Sequence, residues 1–291
     1  MDFSLREVHY FVTCVQTGSF TAAAARLYVS QAAVSRTIAS LERTAGRPLL
    51  RRVPTGCVPT QAGAELLGAA QSLLAEARDF SNLLHGEART LRLGHAWAAL
   101  GRRTIALQRR WAEDHAGVQL ELIRNNTPTA GLAEGLCEVA VLRRLRPEDG
   151  FASTVVGIEQ RLAAFASDDA TWARRRSLRM AEIGARTVAV DTRGGTTDRS
   201  LFDARHAPEH WVETMDVDSW LDLISTGRAV GTTAESTAHH HQRHGIRYLP
   251  ISDGPPIEVS LAWRRGRAPA GLQELIDLVR DLYGYTPGVR D

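Results

Sequence analysis

The chain has 291 residues, 44% hydrophobic and 23% charged, with a formal net charge of +2 and 3 cysteines. This composition belongs to a folded protein of about two domains, and it excludes a disordered chain, a uniformly basic nucleic-acid coat and a disulfide-stapled scaffold. No apolar run reaches membrane-spanning length and no signal peptide opens the chain, so a cytoplasmic protein with no membrane partner is expected.

The charge is uneven. Residues 1–60 hold seven arginines (Arg6, Arg26, Arg36, Arg43, Arg47, Arg51 and Arg52) against Asp2, Glu7 and Glu42, a local +4. A basic end on a near-neutral body suggests an anionic partner at that end. Every basic residue is arginine and none is lysine, which reflects coding bias and says little about phosphate binding. Cys14, Cys57 and Cys137 are far apart and give neither a disulfide framework nor metal-ligand spacing.

Residues 4–17 read as a helix with Leu5, Val8, Phe11, Val12 and Val15 on one side, Cys14 as a small core residue, and Gly18 as the stop. Residues 19–43, SFTAAAARLYVSQAAVSRTIASLER, read as two short helices broken at Tyr28-Val29. Ser19 caps the first, whose small apolar face is Ala24, Ala25 and Leu27. Ser30 caps the second, where Val34, Ile38 and Leu41 recur at i, i+4 and i+7. Its opposite face carries Gln31, Ser35 and Arg36, side chains of the kind that read base edges and hold phosphates. That is the pattern of a helix-turn-helix. The alternative for these residues alone is an ordinary helical hairpin with a polar outer face.

Gly46 and Pro48 then stop the helix. Residues 49–52 and 57–59 are short extended pieces around Pro54-Thr55-Gly56, a two-stranded wing from which Arg51 and Arg52 reach DNA backbone or are merely solvated. Thr60 caps a long helix over 61–88, roughly 40 Å at 1.5 Å per residue. Leu66, Ala70, Leu73, Ala77, Phe80 and Leu84 alternate four and three apart along it, and Leu67, Leu74 and Leu83 widen the stripe. A second copy of the helix is the expected partner, giving a dimer; packing on the C-terminal domain is the competing reading.

The order helix, helix-turn-helix, wing and long helix resembles the N-terminal domain of LysR-type transcriptional regulators. The resemblance rests on Phe11, Gly18-Ser19-Phe20-Thr21, Ala23-Ala24, Leu27, Ser30-Gln31, Ala33-Val34-Ser35, Ile38, Leu41-Glu42, Gly46, Pro48-Leu49, Arg52, Thr60 and Ala62-Gly63. Leu50 departs from it, since the family usually has Phe there, and this concerns wing packing only. The resemblance implies DNA contacts from Ser30, Gln31, Ser35 and Arg36 of the recognition helix and from Arg51, Arg52 and Thr60 of the wing.

From Leu91 the pattern changes. Residues 91–94 read as a strand, 98–114 as a helix, 118–123 as a strand, 128–136 as a helix and 139–142 as a buried strand. This βαβαβ opening implies a parallel sheet. Further strands are expected at 161–166, 186–190, 229–232, 246–249 and 257–263, and helices at 216–226 and 269–284. The region resembles the effector domain of the same family, itself similar to periplasmic solute-binding proteins, through Leu93-Gly94, Val118-Gln119-Leu120, Gly135 to Val141, Gly227 to Gly231 and Leu249-Pro250. Cys137-Glu138 stands where the family usually has Leu-Asp. The resemblance implies a linker and dimerisation helix at 61–88, built on Leu66, Ala70, Leu73, Ala77 and Phe80, between a winged helix-turn-helix at 1–60 and a regulatory domain at 91–291. Within the latter, residues 91–157 with 263–291 would form one subdomain and 158–262 the other.

Ligands of open α/β sheets sit beyond the C-terminal strand ends. Here that places His95 to Ala98, Asn125 to Thr127 and Thr192 to Thr197 around a cleft, with Ala96, Trp97, Ala98, Asn126, Thr127, Arg193 and Thr196 as candidate effector contacts. N–H groups, hydroxyls and an arginine at such loops suit a small organic anion. Alternatively the glycines are loop and the hydroxyls are caps, and Trp97 is either a ligand platform or the filling of a cleft that takes no ligand. His239, His240, His241 and His244 read as a surface helix with His240 and His244 on one face, and no metal or cofactor is expected. Arg143-Arg144, Arg174 to Arg176 and Arg264-Arg265 read as solvated charge. No nucleophile elbow, phosphate loop or dinucleotide fingerprint supports an enzyme. The sequence therefore predicts a LysR-type regulator, a homodimer or homotetramer on double-stranded promoter DNA, answering to a small effector and engaging RNA polymerase. The alternatives are a constitutive regulator without effector, or a solute-binding or enzymatic α/β domain with a helical appendage.

Overall fold

Four hydroxyls set where the first part of the chain turns into helix. Each accepts a backbone N–H that the first helical turn would otherwise leave orphaned. Ser4 Oγ takes Glu7 N at 3.2 Å, Ser19 Oγ takes Ala22 N at 3.4 Å, Ser30 Oγ takes Ala33 N at 3.2 Å and Thr60 Oγ1 takes Gly63 N at 3.1 Å. They open α1 (Leu5–Thr17), α2 (Phe20–Arg26), α3 (Gln31–Ala45) and α4 (Gln61–Leu84). Gly18 and Gly46 close α1 and α3 in the left-handed conformation. The computed structural model describes residues 2–54, 56–85, 89–144 and 150–288. The expected end of the long helix at 86–88, and Thr55 of the wing turn, lie outside the described residues, as does the side chain of Leu83.

The chain forms two compact units, Met1–Arg89 and Thr90–Asp291. In the first, Phe11, Cys14, Ala23, Val34, Ile38 and Leu49 form the buried centre, against which Leu67, Ala70 and Leu74 of α4 pack. Leu5 and Ala25, expected on buried faces, are exposed, because the buried arcs run through Val8, Phe11 and Val12 on α1 and through Ala23 and Ala24 on α2. The wing is an antiparallel hairpin of β1 (Leu50–Val53) and β2 (Gly56–Pro59), with Arg52 opposite Cys57. Gly63 brings α4 onto it: a Cβ there would lie 2.0 Å from Leu49 O.

The second unit is built on two sheets. The first contains β3 (Arg89–His95), β4 (Val118–Arg124), β5 (Val139–Leu142), β6 (Phe151–Glu159) and β12 (Ile257–Arg264), in the order β4-β3-β5-β12-β6. Helices α5 (Thr104–Asp114) and α9 (Leu272–Tyr283) cover it through Leu107, Trp111, Leu275 and Val279. The second region has β7 (Arg161–Ala166), β10 (Gly231–Ala234) and β11 (Ile246–Pro250) in the order β10-β7-β11, with the parallel pair β8 (Val188–Asp191) and β9 (Trp211–Thr214) beside it. The short helices α6 (Met180–Gly184), α7 (Val217–Ser225) and α8 (Glu235–His240) complete it.

Three expectations need correction. The sheet is mixed, because β12 runs antiparallel to both β5 and β6. That pairing also places 257–264 in the first subdomain, not within 158–262. Residues 128–136 are turns, not helix, because Ala130, Gly131 and Gly135 have φ of 51°, 93° and 65°. The chain passes between the two sheets at Gln160 and again over 251–256.

Candidate functional site

Helix α3 buries Val34 and Ile38 and turns Gln31 and Arg36 to solvent. Arg36 has no ion-pair partner among the described residues. The wing is fastened to this helix twice. Glu42 Oε1 accepts Leu49 N at 2.8 Å and Leu50 N at 3.0 Å, so the carboxylate caps the start of β1. Arg52 lies over the Phe20 ring at 5.0 Å and donates to Ser35 Oγ at 3.4 Å. Arg51 and Arg52 are exposed on the wing. Thr60 is committed to structure, since its hydroxyl donates to Pro48 O at 2.8 Å while accepting Gly63 N. Ser30, Gln31, Ser35, Arg36, Arg51 and Arg52 are thus carried by two elements tied to one another, α3 and the wing. Cys14 and Cys57 lie beneath it; burial pushes both thiols up, Cys14 to about 12, which leaves them inert.

On α4 the seven-residue series splits by face. Leu66, Leu73 and Phe80 are 37%, 36% and 63% exposed, whereas Ala70 packs on the domain's own core with Leu67 and Leu74. Leu66, Ala70 and Leu73 border a groove of about 240 Å³ whose other walls include Phe3, Val8, Phe11 and Leu49. An exposed apolar stripe beside an apolar groove is an unfinished hydrophobic surface.

In the second unit the loops after β3, β4 and β8 meet, and several of their polar groups are already paired with one another. Asp191, at the end of β8, turns its carboxylate onto the following loop. Its Oδ1 accepts Arg193 N at 2.7 Å and Gly194 N at 3.4 Å, the N–H groups expected to receive an anion. Its Oδ2 accepts Trp97 Nε1 at 2.9 Å and Asn126 Nδ2 at 3.0 Å. Trp97 is buried among Ala189, Val217, Trp220 and Leu221, with its ring 5.1 Å from that of Trp220. Trp97 is therefore part of the packed core of the second sheet region. Ala98 is also buried and holds Arg143 through its carbonyl, and Thr127 Oγ1 accepts Gly131 N at 3.1 Å. Ala96, Trp97, Thr127, Arg193 and Thr196 line what remains, about 40 Å³, room for little more than water. A roomier depression of about 610 Å³ lies elsewhere in this unit, lined by exposed charges of both signs including Arg205, Glu209 and Arg228.

Two arginines read as solvated are structural. Arg143 pairs with Glu159 at 2.9 Å, their side chains 9% and 0% exposed, and also donates to Ala98 O and Ala99 O. Ser236 Oγ and Tyr283 Oη complete the Glu159 shell at 2.7 and 2.5 Å. This network sits where β6 leaves for β7. Arg264 is partly buried and donates to Leu132 O and Ala133 O. Arg144 pairs with Asp198 at 2.6 Å. The histidines do not form the expected helical face, because α8 ends at His240 and His244 lies beyond it. His241 instead bonds Trp97 O through Nε2 at 2.9 Å. His95, buried at the end of β3, is pushed down to about 4 by burial and by Arg143 and Arg124.

The roles of Asp191 and Glu42 escaped the sequence reading, though Asp191 left a signal. Asp191 ends an apolar strand two residues before Arg193-Gly194, the spacing of an Asx turn. Glu42 stands seven residues before the Leu49 amide it caps, a relation no helical periodicity announces.

Comparison with known proteins bears on both units. The family described as "LysR substrate binding domain" matches residues 84–284, and "Bacterial regulatory helix-turn-helix protein, lysR family" matches residues 5–64. The HTH-type transcriptional regulator YnfL of Escherichia coli is 28% identical over 97% of this chain and 100% of its own length. AbaB of Streptomyces antibioticus, another HTH-type transcriptional regulator, is 50% identical over 66 residues, 23% of this chain and 21% of its own. Full-length CbnR, in a complex with its target DNA, is similar in fold, with a TM-score of 0.65 at 21% identity over 96% of this chain and 100% of that one. A full-length OxyR variant of Pseudomonas aeruginosa gives 0.66 at 20% identity, covering 100% of both chains. Among the described residues, no helix is long and apolar enough to cross a membrane.

Proposed function

Because this chain belongs to the LysR family of DNA-binding transcriptional regulators, we propose that two copies pair through α4 and set two α3 helices into successive major grooves of a promoter site. The single observation that carries this reading is the α3 face, where Gln31 and Arg36 are free while Glu42 and Arg52 lock the wing beside them. Gln31 and Arg36 read base edges; Ser30, Ser35, Arg51 and Arg52 hold phosphates; Thr60 acts by positioning the wing. The exposed Leu66, Leu73 and Phe80 supply the dimer contact, with a tetramer formed by pairs of dimers.

The second unit binds a small organic effector in its cleft. Binding shifts the angle between the two sheets about Gln160 and 251–256, which alters how dimers associate, how DNA is bent and how RNA polymerase is engaged. The activity is one of binding, with no reaction catalysed, and it operates in the cytoplasm where the promoter is.

A mobility shift with the DNA upstream of its own gene tests the reading. The full chain should bind tightly, with affinity falling steeply as salt rises. Arg36→Ala should weaken binding on the order of 10-fold or more, as loss of a base or phosphate contact does. An unchanged affinity removes the role given to Arg36, and a full chain that ignores that DNA at every salt concentration overturns the function.

A further inference from the structure

Granting the regulator reading above, we propose that Trp97 is a built-in occupant of the effector slot. The ligand that competes with it is a flat aromatic bearing a ring N–H, of the indole class, and not an aryl carboxylate.

The slot is defined on every side. Trp97 reaches from the loop after β3 into the core of the second sheet region, against Trp220, Ala189, Val217 and Leu221. Gly194 closes one edge, where a Cβ would lie 3.3 Å from Trp97 Cδ1. Asp191 Oδ2 takes the indole N–H at 2.9 Å. The backbone carrying Trp97 is held independently of its ring, by His241 Nε2 at Trp97 O and by Arg143 at Ala98 O and Ala99 O. Removing the ring therefore leaves a walled slot of indole shape. Beside it, Asn126 Oδ1 and Thr196 Oγ1 are buried without a hydrogen-bond partner among the described residues, and these are the groups a ring substituent would meet.

The same groups decide the ligand's chemistry. The N–H groups of Arg193 and Gly194, which would hold an anion, are already taken by Asp191 Oδ1. A carboxylate entering the slot would face the Asp191 carboxylate, which is 1% exposed, and two like charges in so dry a place repel strongly. An N–H donor meets the acceptor the slot provides, and a donor lacking its proton leaves that acceptor short of a partner.

The test uses full-length Trp97→Ala and three probes: indole, 1-methylindole and benzoate. At ten times its dissociation constant, indole should raise the melting temperature of the variant by about 3–5 °C, saturably. 1-Methylindole, which fits but cannot donate, should need a several-fold higher concentration for the same rise, and benzoate should give none. No saturable rise with indole, or an equal rise with benzoate, overturns the proposal. Should Trp97→Ala fail to fold, Trp97→Phe keeps a ring and loses the N–H. Combined with Asp191→Ala its loss in melting temperature should fall short of the sum of the two single losses, and additive losses overturn the contact. A mobility shift of the unsubstituted chain reports on the regulator reading separately. Lost indole binding with intact DNA binding removes the slot alone, and absent DNA binding with indole rescue removes the regulator alone.

Discussion

Replacing Glu159 with alanine strips the counter-ion from a guanidinium that is largely shut off from water. Arg143 is 9% exposed, and the carboxylate it loses also holds Tyr283 Oη and Ser236 Oγ. Breaking a buried pair from one side costs about 3–5 kcal/mol, because the remaining charge stays desolvated. For a unit of this size each kcal/mol moves the midpoint by about 2–4 °C, so the transition of residues 90–291 should fall by about 6–20 °C. Differential scanning calorimetry of the full chain reads this, with the transition of the N-terminal unit as an internal control. The double variant Arg143→Met/Glu159→Leu should recover most of the loss, since it removes both charges and keeps the volume. Burial raises the Glu159 carboxyl, but Arg143, Tyr283 and Ser236 outweigh it and hold it at about 2. Its contribution is thus fully present above the ordinary value of 4.5 and is lost as pH falls from there through about 2. A Glu159→Ala midpoint within 2 °C or so of the unsubstituted chain would falsify the argument that the pair is desolvated.

His95 gives a second pH effect in a milder range. Burial, then Arg143 and Arg124, hold it at about 4 against an ordinary 6.5, so the unfolded chain takes up the proton first and stability drops by about 3 kcal/mol as pH falls across that window. His95→Gln should flatten that slope in melts taken between neutral pH and the folded-state value; an unaltered slope refutes the assignment. Glu42→Ala should cost about 1–3 kcal/mol and raise amide exchange at Leu49 and Leu50, with Glu42→Gln in between, and unchanged exchange at those two amides would mean the wing needs no tether. Leu73→Asp puts a charge on the exposed stripe of α4 and should convert the dimer to monomer in light scattering; a persistent dimer would relocate the interface.

Local chemistry wrote much of this protein. Ser19, Ser30 and Thr60 mark helix starts by what a hydroxyl does for an orphan amide. Gly18 and Gly46 mark helix stops by what a missing Cβ allows. Val34 and Ile38 declare the buried side of α3 by spacing alone, and so leave Gln31 and Arg36 outside. Such rules act within a few residues, so one chain read once is enough to apply them. Where they misled, either the local backbone took an unexpected conformation or a partner distant in sequence had intervened. Ala130, at φ 51°, let a would-be helix break into turns. β12 joined the first sheet because β5 and β6 offered it two edges across a hundred residues.

The cleft belongs to that second kind. Arg143 looked like solvated charge until Glu159, Ser236 and Tyr283 were brought around it from three other elements. The loop N–H groups at 193 and 194 read as anion-binding or as plain loop until Asp191 folded back on them, and Trp97, readable as platform or filling, packs into the core of the second sheet region. By itself the sequence determined the helices of the first unit, their caps and the polar side turned outward on α3, because those follow from neighbours along the chain. Only the tertiary structure decided which charges are buried and what fills the cleft, because desolvation depends on who stands next to a group in space.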